Sequence, residues 1–329
     1  MIPQAELHVH LEGTAPPELM GRIAARNGLG LPPGLVSEDG SYHWRDFLHF
    51  LEAYDAAASL LRTPQDFRDV VYEYLVGCAR EGAIYVEFIA SPDHAAAAGV
   101  SDADHVAALA QGIDDARAAS GIEARILMSC VRNFGPEAAV AVAKRTVAHL
   151  HPYVTGFNMG GDEAGFPPGP FAPAFAIVSE AGLGLSCHAG EWAGPESVRA
   201  ALELGVTRLS HGVRAVEDPA LVAELAERGI VLECCPTSNV VLGVYPDYAR
   251  HPFLQLREAG VRLTLGSDDP PYFGASLAGE YGVAAEAFGL DDDELRGLTR
   301  TAIGAAFVPE DIRSMLLAGV EDDDDRITL

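Results

Sequence analysis

Short β-rich runs alternate with longer amphipathic or alanine-rich segments along the whole chain, the order expected of parallel strands joined by crossover helices. Eight runs have strand character: 5–11, 83–90, 123–131, 154–159, 184–189, 207–211, 229–235 and 261–266. Eight parallel strands close a barrel, so the pattern predicts an α/β chain folded as a single (β/α)8 TIM barrel over 1–329. Crossover helices read over 104–120, 136–150, 195–204 and 218–228. The last two open at Gly194-Pro195-Glu196 and Asp218-Pro219, where proline suits the first helical turn. The connection at about 14–82 is far longer than one helix. It reads as a helical insertion over the barrel mouth, with helices near 16–27, 44–60 and 65–81.

Composition narrows the choice of partners. The 329 residues are 49% hydrophobic, enough for one large core, and no linker divides them. A formal charge of −26 with scattered basic residues would repel a nucleic-acid backbone or an anionic membrane, so a small-molecule substrate is expected. Apolar runs are too short to span a bilayer. The acidic tail, 321–329, reads as a solvated terminus with no assigned function. Five cysteines, an odd number lying mostly in apolar runs, suit reduced and packed thiols. With no leader-like start, the expected location is cytoplasmic. Oligomeric state is not readable.

Polar residues gather where the predicted strands end: His8, His10, Glu87, Arg132, Asn158, His188, His211, Cys235, Asp268 and Asp269. In a barrel of this class that rim is the catalytic face. Period-two geometry points His8 and His10 to the same side, where they could share a metal, and His188 and Asp268 complete a three-imidazole, one-carboxylate set. Such a set keeps a zinc site net positive and can bring bound water toward a pKa of about 7. Barrel hydrolases with two metals bridge them through a modified lysine, but the one lysine here, Lys144, falls in a crossover helix. One zinc per chain is therefore expected. His10-Leu11-Glu12 fits half of another zinc-deaminase pattern, yet Cys234-Cys235-Pro236 has the wrong order for its second half. Each residue taken singly has a bland rival: Glu191 as a helix cap, His211 as a core histidine, Asp268-Asp269-Pro270 as a turn. Their convergence at strand ends favours a site. His43, His49, His94, His105, His149, His151 and His251 lack such placement and read as surface or packing residues.

Five motifs in order make the chain resemble the adenosine deaminase family from end to end. They are His8-Val9-His10-Leu11-Glu12-Gly13, Gly160-Gly161-Asp162-Glu163, His188-Ala189-Gly190-Glu191, Ser210-His211-Gly212 and Ser267-Asp268-Asp269-Pro270. Cys235-Pro236-Thr237-Ser238-Asn239 is a sixth, supporting match. The resemblance implies zinc on His8, His10, His188 and Asp268. It implies that Glu191 protonates purine N1 and that His211 orients the attacking water and helps to deprotonate it. Asp269 would bond N7, the Gly161 N–H would face N3, and His10 and Glu12 would border the substrate. The implied reaction is hydrolytic loss of the 6-amino group of an adenine-type purine, with Glu191, His211 and Asp268 catalytic.

The resemblance is weaker at the substrate's far end. Family members acting on adenosine carry Asp at the place of Glu12, for the ribose 5′ hydroxyl, Arg at that of Ile89 and Asp at that of Asn158. Related branches act on free adenine or on 6-aminodeoxyfutalosine. Because free-adenine enzymes usually replace the Gly-Asp-Glu segment kept here as Gly161-Asp162-Glu163, the expectation leans to a nucleoside, adenosine or 6-aminodeoxyfutalosine, with adenine as the alternative. Phe47, Phe50, Leu51 and Tyr54, on one helical face, either line the pocket beyond the ribose or pack the insertion. A barrel that only binds a purine is the rival of another class, and phosphoester hydrolysis lacks the basic residues or paired metals it needs.

Overall fold

A computed structural model describes residues 2–326, with side chains as far as Glu321, so the tail carboxylates from Asp322 onward lie outside the described side chains. The strands are β1 (Gln4–Glu6), β2 (Ala83–Ala90), β3 (Glu123–Val131), β4 (Val154–Gly160), β5 (Gly184–Ala189), β6 (Arg208–His211), β7 (Val231–Cys234) and β8 (Arg262–Leu265). They pair in parallel in chain order, and a parallel bridge between Val9 and Asp268 returns the last strand to the first. The architecture is a single (β/α)8 barrel.

Crossover helices occupy Asp102–Ser120, Pro136–Ala148, Pro195–Leu202 and Pro219–Arg228, and the last three start with proline, whose missing N–H costs nothing there. The insertion carries Pro17–Arg26, Phe47–Ala58 and Pro64–Arg80. The pattern reading passed over Ala172–Glu180 and the helices after β8. Two of those, Asp292–Ala305 and Glu310–Arg326, contribute Ala302, Ile303, Leu316 and Val320 to a small apolar cluster with Ala5, Leu7 and Tyr85. Among the described residues no helix is long and apolar enough to cross a membrane. All five cysteines are free and buried.

The first strand is shorter than its sequence predicts. Its ladder slips register between Gln4 and Ala5 and ends at Glu6, and the chain then resumes pairing only through single bridges at Val9 and His10. The cause is a close crossing with the segment after β8. A Cβ on Gly266 would stand 2.6 Å from the His8 carbonyl oxygen, so only glycine lets the two backbones meet. The Asp268 N–H donates to the His8 carbonyl at 3.1 Å and the His10 N–H to the Asp268 carbonyl at 2.9 Å. Two segments more than 250 residues apart in sequence are thereby locked before any side chain is considered.

Toward the N-terminal end of the strands the barrel interior is charged. Arg208, 1% exposed, meets Glu87 Oε2 at 2.6 Å and Glu233 Oε1 at 2.7 Å. The other Glu87 oxygen accepts from the Tyr85 hydroxyl and the Phe307 N–H, both at 2.6 Å. Glu87 therefore does not belong to the mouth, where its place in the sequence had put it. It lies in mid-strand as one half of a buried ion pair, whose disruption typically costs about 3–5 kcal/mol.

Candidate active site

His8 Nε2 and His10 Nε2 each lie 3.1 Å from His188 Nε2, and each lies 3.4 Å from Asp268 Oδ1. The edges of a tetrahedron drawn by zinc–ligand bonds of about 2.05 Å are about 3.3 Å long. Hydrogen bonding on the outer face of the rings shows why the cluster suits a cation. His8 Nδ1 is 3.2 Å from the Glu233 carbonyl, and His188 Nδ1 is 3.1 Å from both Asn158 Oδ1 and the Met159 carbonyl. Carbonyl oxygens only accept, so both rings carry their proton on Nδ1 and turn bare Nε2 lone pairs toward each other. Such lone pairs repel unless a positive ion sits between them. The donor set fits a divalent metal.

The supports of these four side chains form a connected web. Asn158 Nδ2 donates to Ser210 Oγ at 3.1 Å, and Ser210 Oγ donates to Glu233 Oε2 at 2.8 Å, which ties His188 to the Arg208 belt. Ser238 Oγ donates to Asp268 Oδ2 at 2.6 Å. Asp268 and His211 are the two non-glycine residues with positive φ among those described, at 62° and 66°. That conformation costs on the order of 1–3 kcal/mol, held here by the surrounding pairing.

Above the ligands stand the ionisable groups expected to handle the substrate. Glu191 Oε2 is 3.6 Å from His211 Nε2, and Asp268 Oδ2 is 3.8 Å from the same nitrogen. Burial, then the charges of Asp268 and Glu163, push the Glu191 carboxyl well above the usual carboxylate range. Asp269 is raised as well, by burial and by Asp268, Glu12 and Glu191. Burial also raises the cost of ionising Asp268, but the surrounding imidazoles of His10, His8 and His211 outweigh it and hold that group well below its usual value. Burial pushes His211 down to about 3. Neighbouring carboxyls are thus driven in opposite directions by their surroundings.

The cavity over this centre is walled by His10, Glu12, Phe47, Phe50, Leu51, Tyr54, Ile89, Val131, Gly160, Gly161 and Leu242 together with Glu191, His211, Asp268 and Asp269. His188 lines it as well, and His8 touches His188 at 3.1 Å, so the expected metal and substrate residues meet at one place. Two are made possible by glycines. A Cβ on Gly13 would fall 1.7 Å from Asp269 Oδ1, and one on Gly161, at φ +105°, would fall 2.3 Å from Asn133 Oδ1. Arg132, expected at the rim, is wholly buried and donates to the His188 carbonyl at 2.5 Å and the Phe166 carbonyl at 3.1 Å. Its work is to hold strand ends, not substrate.

Three contributors escaped the sequence reading. Glu163 accepts from the backbone N–H groups of Gly190 (2.6 Å), Glu191 (3.0 Å), Trp192 (2.8 Å) and Ala193 (3.1 Å), and from Ser197 Oγ (2.5 Å). One buried carboxylate therefore fixes the loop that carries Glu191. His94, read as a surface or packing residue, lines the cavity and bonds Asp55 at 2.9 Å. His251, read the same way, is buried against Asn239. Glu163 stood inside a motif; neither histidine had any local signal.

A three-imidazole, one-carboxylate centre at the C-terminal mouth of a (β/α)8 barrel, beside a buried carboxyl whose surroundings raise it, defines a metal-dependent hydrolase. The family model described as adenosine deaminase matches residues 3–323, and the chain belongs to that family. An adenine deaminase of Chelativorans sp. (strain BNC1) is 52% identical over 319 residues, covering 97% of this chain and 98% of the relative. The solved adenine deaminase of Arthrobacter aurescens superposes with a TM-score of 0.92 at 30% identity, over 99% of this chain and 100% of that one. An amidohydrolase of Burkholderia ambifaria with bound zinc gives a TM-score of 0.90 at 28% identity, over 99% and 92%.

Proposed function

We propose that this chain hydrolyses the 6-amino group of free adenine, releasing ammonia, with one zinc ion per chain held by His8, His10, His188 and Asp268. Zinc in that position would supply the Lewis acidity that brings water toward a pKa of about 7. The remaining tasks fall to side chains. Attack at C6 breaks aromaticity and loads electron density on N1, so Glu191, kept protonated by its buried surroundings, delivers a proton there. His211, at the end of the neighbouring strand β6 with its Nε2 3.6 Å from Glu191 Oε2, hydrogen-bonds the attacking water. N7 has only a lone pair to offer, and Asp269, raised toward its neutral form, supplies the matching O–H. Gly161 presents backbone to N3. The observation that carries the reaction is the buried Glu191 carboxyl, raised by its surroundings and within 4.8 Å of His211 and Asp268. A mere binder has no use for it.

Substrate choice rests on the far end of the cavity, where the nucleoside expectation is not kept. That expectation leaned on Gly161-Asp162-Glu163, but Glu163 spends its carboxylate on the Glu191 loop, so its retention carries no information about a ribose. Glu12 is equally committed. It is 2% exposed, its Oε2 accepts from the Tyr54 hydroxyl at 3.1 Å and its Oε1 from the Ser91 N–H at 3.0 Å. Phe47, Phe50, Ile89 and Leu242 give the cavity apolar walls that suit a flat ring. Relatives named adenine deaminase, identical at half of their positions, point the same way. The test is kcat/KM for adenine, adenosine and 6-aminodeoxyfutalosine. Adenine is expected to lead by about 100-fold or more, because unpaired hydroxyls in such a site are costly; equal or better turnover of either nucleoside would restore the other reading.

A further inference from the structure

Asn239 and His251 are buried beside His211, and the hydrogen bonds that join them have only one consistent direction. The Phe253 backbone N–H donates to His251 Nδ1 at 3.3 Å. An amide N–H cannot accept, so Nδ1 is bare and the neutral ring carries its proton on Nε2. Burial keeps that ring neutral by pushing it down to about 4. Tyr245 and Phe288 hold it in place, with ring centroids at 5.2 and 5.8 Å. The His251 Nε2–H therefore donates to Asn239 Oδ1 at 3.1 Å. This turns the Asn239 NH2 group toward His211 Nδ1, 3.3 Å away. An NH2 group has only protons to give, so His211 Nδ1 must be the bare nitrogen. The proton of neutral His211 then sits on Nε2, the atom 3.6 Å from Glu191 Oε2 and 3.8 Å from Asp268 Oδ2.

We propose that Asn239, oriented by His251, is a positioning residue that holds His211 as its Nε2–H tautomer, so that His211 donates a hydrogen bond to the oxygen attacking C6 and keeps its own proton. The identity of that oxygen rests on the deaminase reading; the tautomer does not. The family resemblance implies that this histidine helps to deprotonate the water. An imidazole protonated at Nε2 has no lone pair on that face with which to do so, whereas a donor there can orient the water and stabilise charge that develops on its oxygen.

The test uses the zinc-loaded enzyme with 15N-labelled histidine and two-bond 1H–15N correlation spectra, the His211 signal being assigned by its loss in His211→Gln. The wild type is expected to carry the proton on Nε2. In Asn239→Asp the carboxylate can only accept, so the proton should move to Nδ1 and kcat should fall about 10–100-fold, with zinc content and KM near wild type. A wild-type His211 protonated on Nδ1, or an Asn239→Asp enzyme whose proton moves while kcat does not, overturns the proposal. The wild-type spectrum decides by itself if Asn239→Asp does not fold. An enzyme with the Nε2–H tautomer that releases no ammonia from adenine would sink the functional reading and leave the tautomer standing.

Discussion

Glu191→Gln is expected to lower kcat on adenine by about 10²–10⁴-fold while zinc stays at one per chain. The amide fills the same space and can still accept hydrogen bonds, but it has no proton of suitable acidity for N1. The pH profile separates this role from a structural one. Burial and the charges of Asp268 and Glu163 raise the carboxyl in the folded enzyme, so the active, protonated form persists above the usual carboxylate range and is lost as pH rises through the raised value. The cation would pull that value back down, and ionised Asp268 offsets part of its charge. Wild-type kcat/KM should therefore show an alkaline fall set by Glu191, and the Gln variant should lack it. Unchanged turnover in the variant would remove Glu191 from the mechanism.

Asp268→Ala should weaken zinc binding by at least about 100-fold, since even outer supports of a metal site are commonly worth 10–100-fold. This is the only carboxylate in the ligand set, and its loss leaves three neutral imidazoles around a divalent charge. It also strips Ser238 Oγ of its acceptor. Zinc per chain, measured by elemental analysis after dialysis against a competing chelator, reads the effect directly. Full occupancy with normal turnover would mean that the ligands have been wrongly chosen.

What could be seen in the sequence divides along a physical line. The runs at 83–90 and 123–131 matched β2 and β3 to the residue, because strands buried on both faces give stretches rich in apolar residues whose ends are sharp. Segment 5–11 did not, because its bulge and its crossing with Gly266 depend on chain some 260 residues away, which no local pattern records. The closeness of His8 and His10 was legible because extended chain spaced by two turns both rings to one side, even though the regular strand ends at Glu6. The left-handed backbone at His211 and Asp268 was not, as neither residue type demands it. Glu163 was visible as a motif residue, yet its task was hidden, since four of its five donors are backbone N–H groups that leave no trace in side-chain identity. The same blindness turned a structural carboxylate into an argument for a ribose. His251 reaches the site only through Asn239, and only coordinates bring those two together.

The most direct test is to strip the purified protein of metal with a chelator, return zinc in measured steps, and follow ammonia released from adenine. Turnover should be absent in the stripped protein, rise in proportion to added zinc, and level off at one zinc per chain. Full activity without metal, a requirement for a second equivalent, or silence on adenine at any loading would contradict the proposed function.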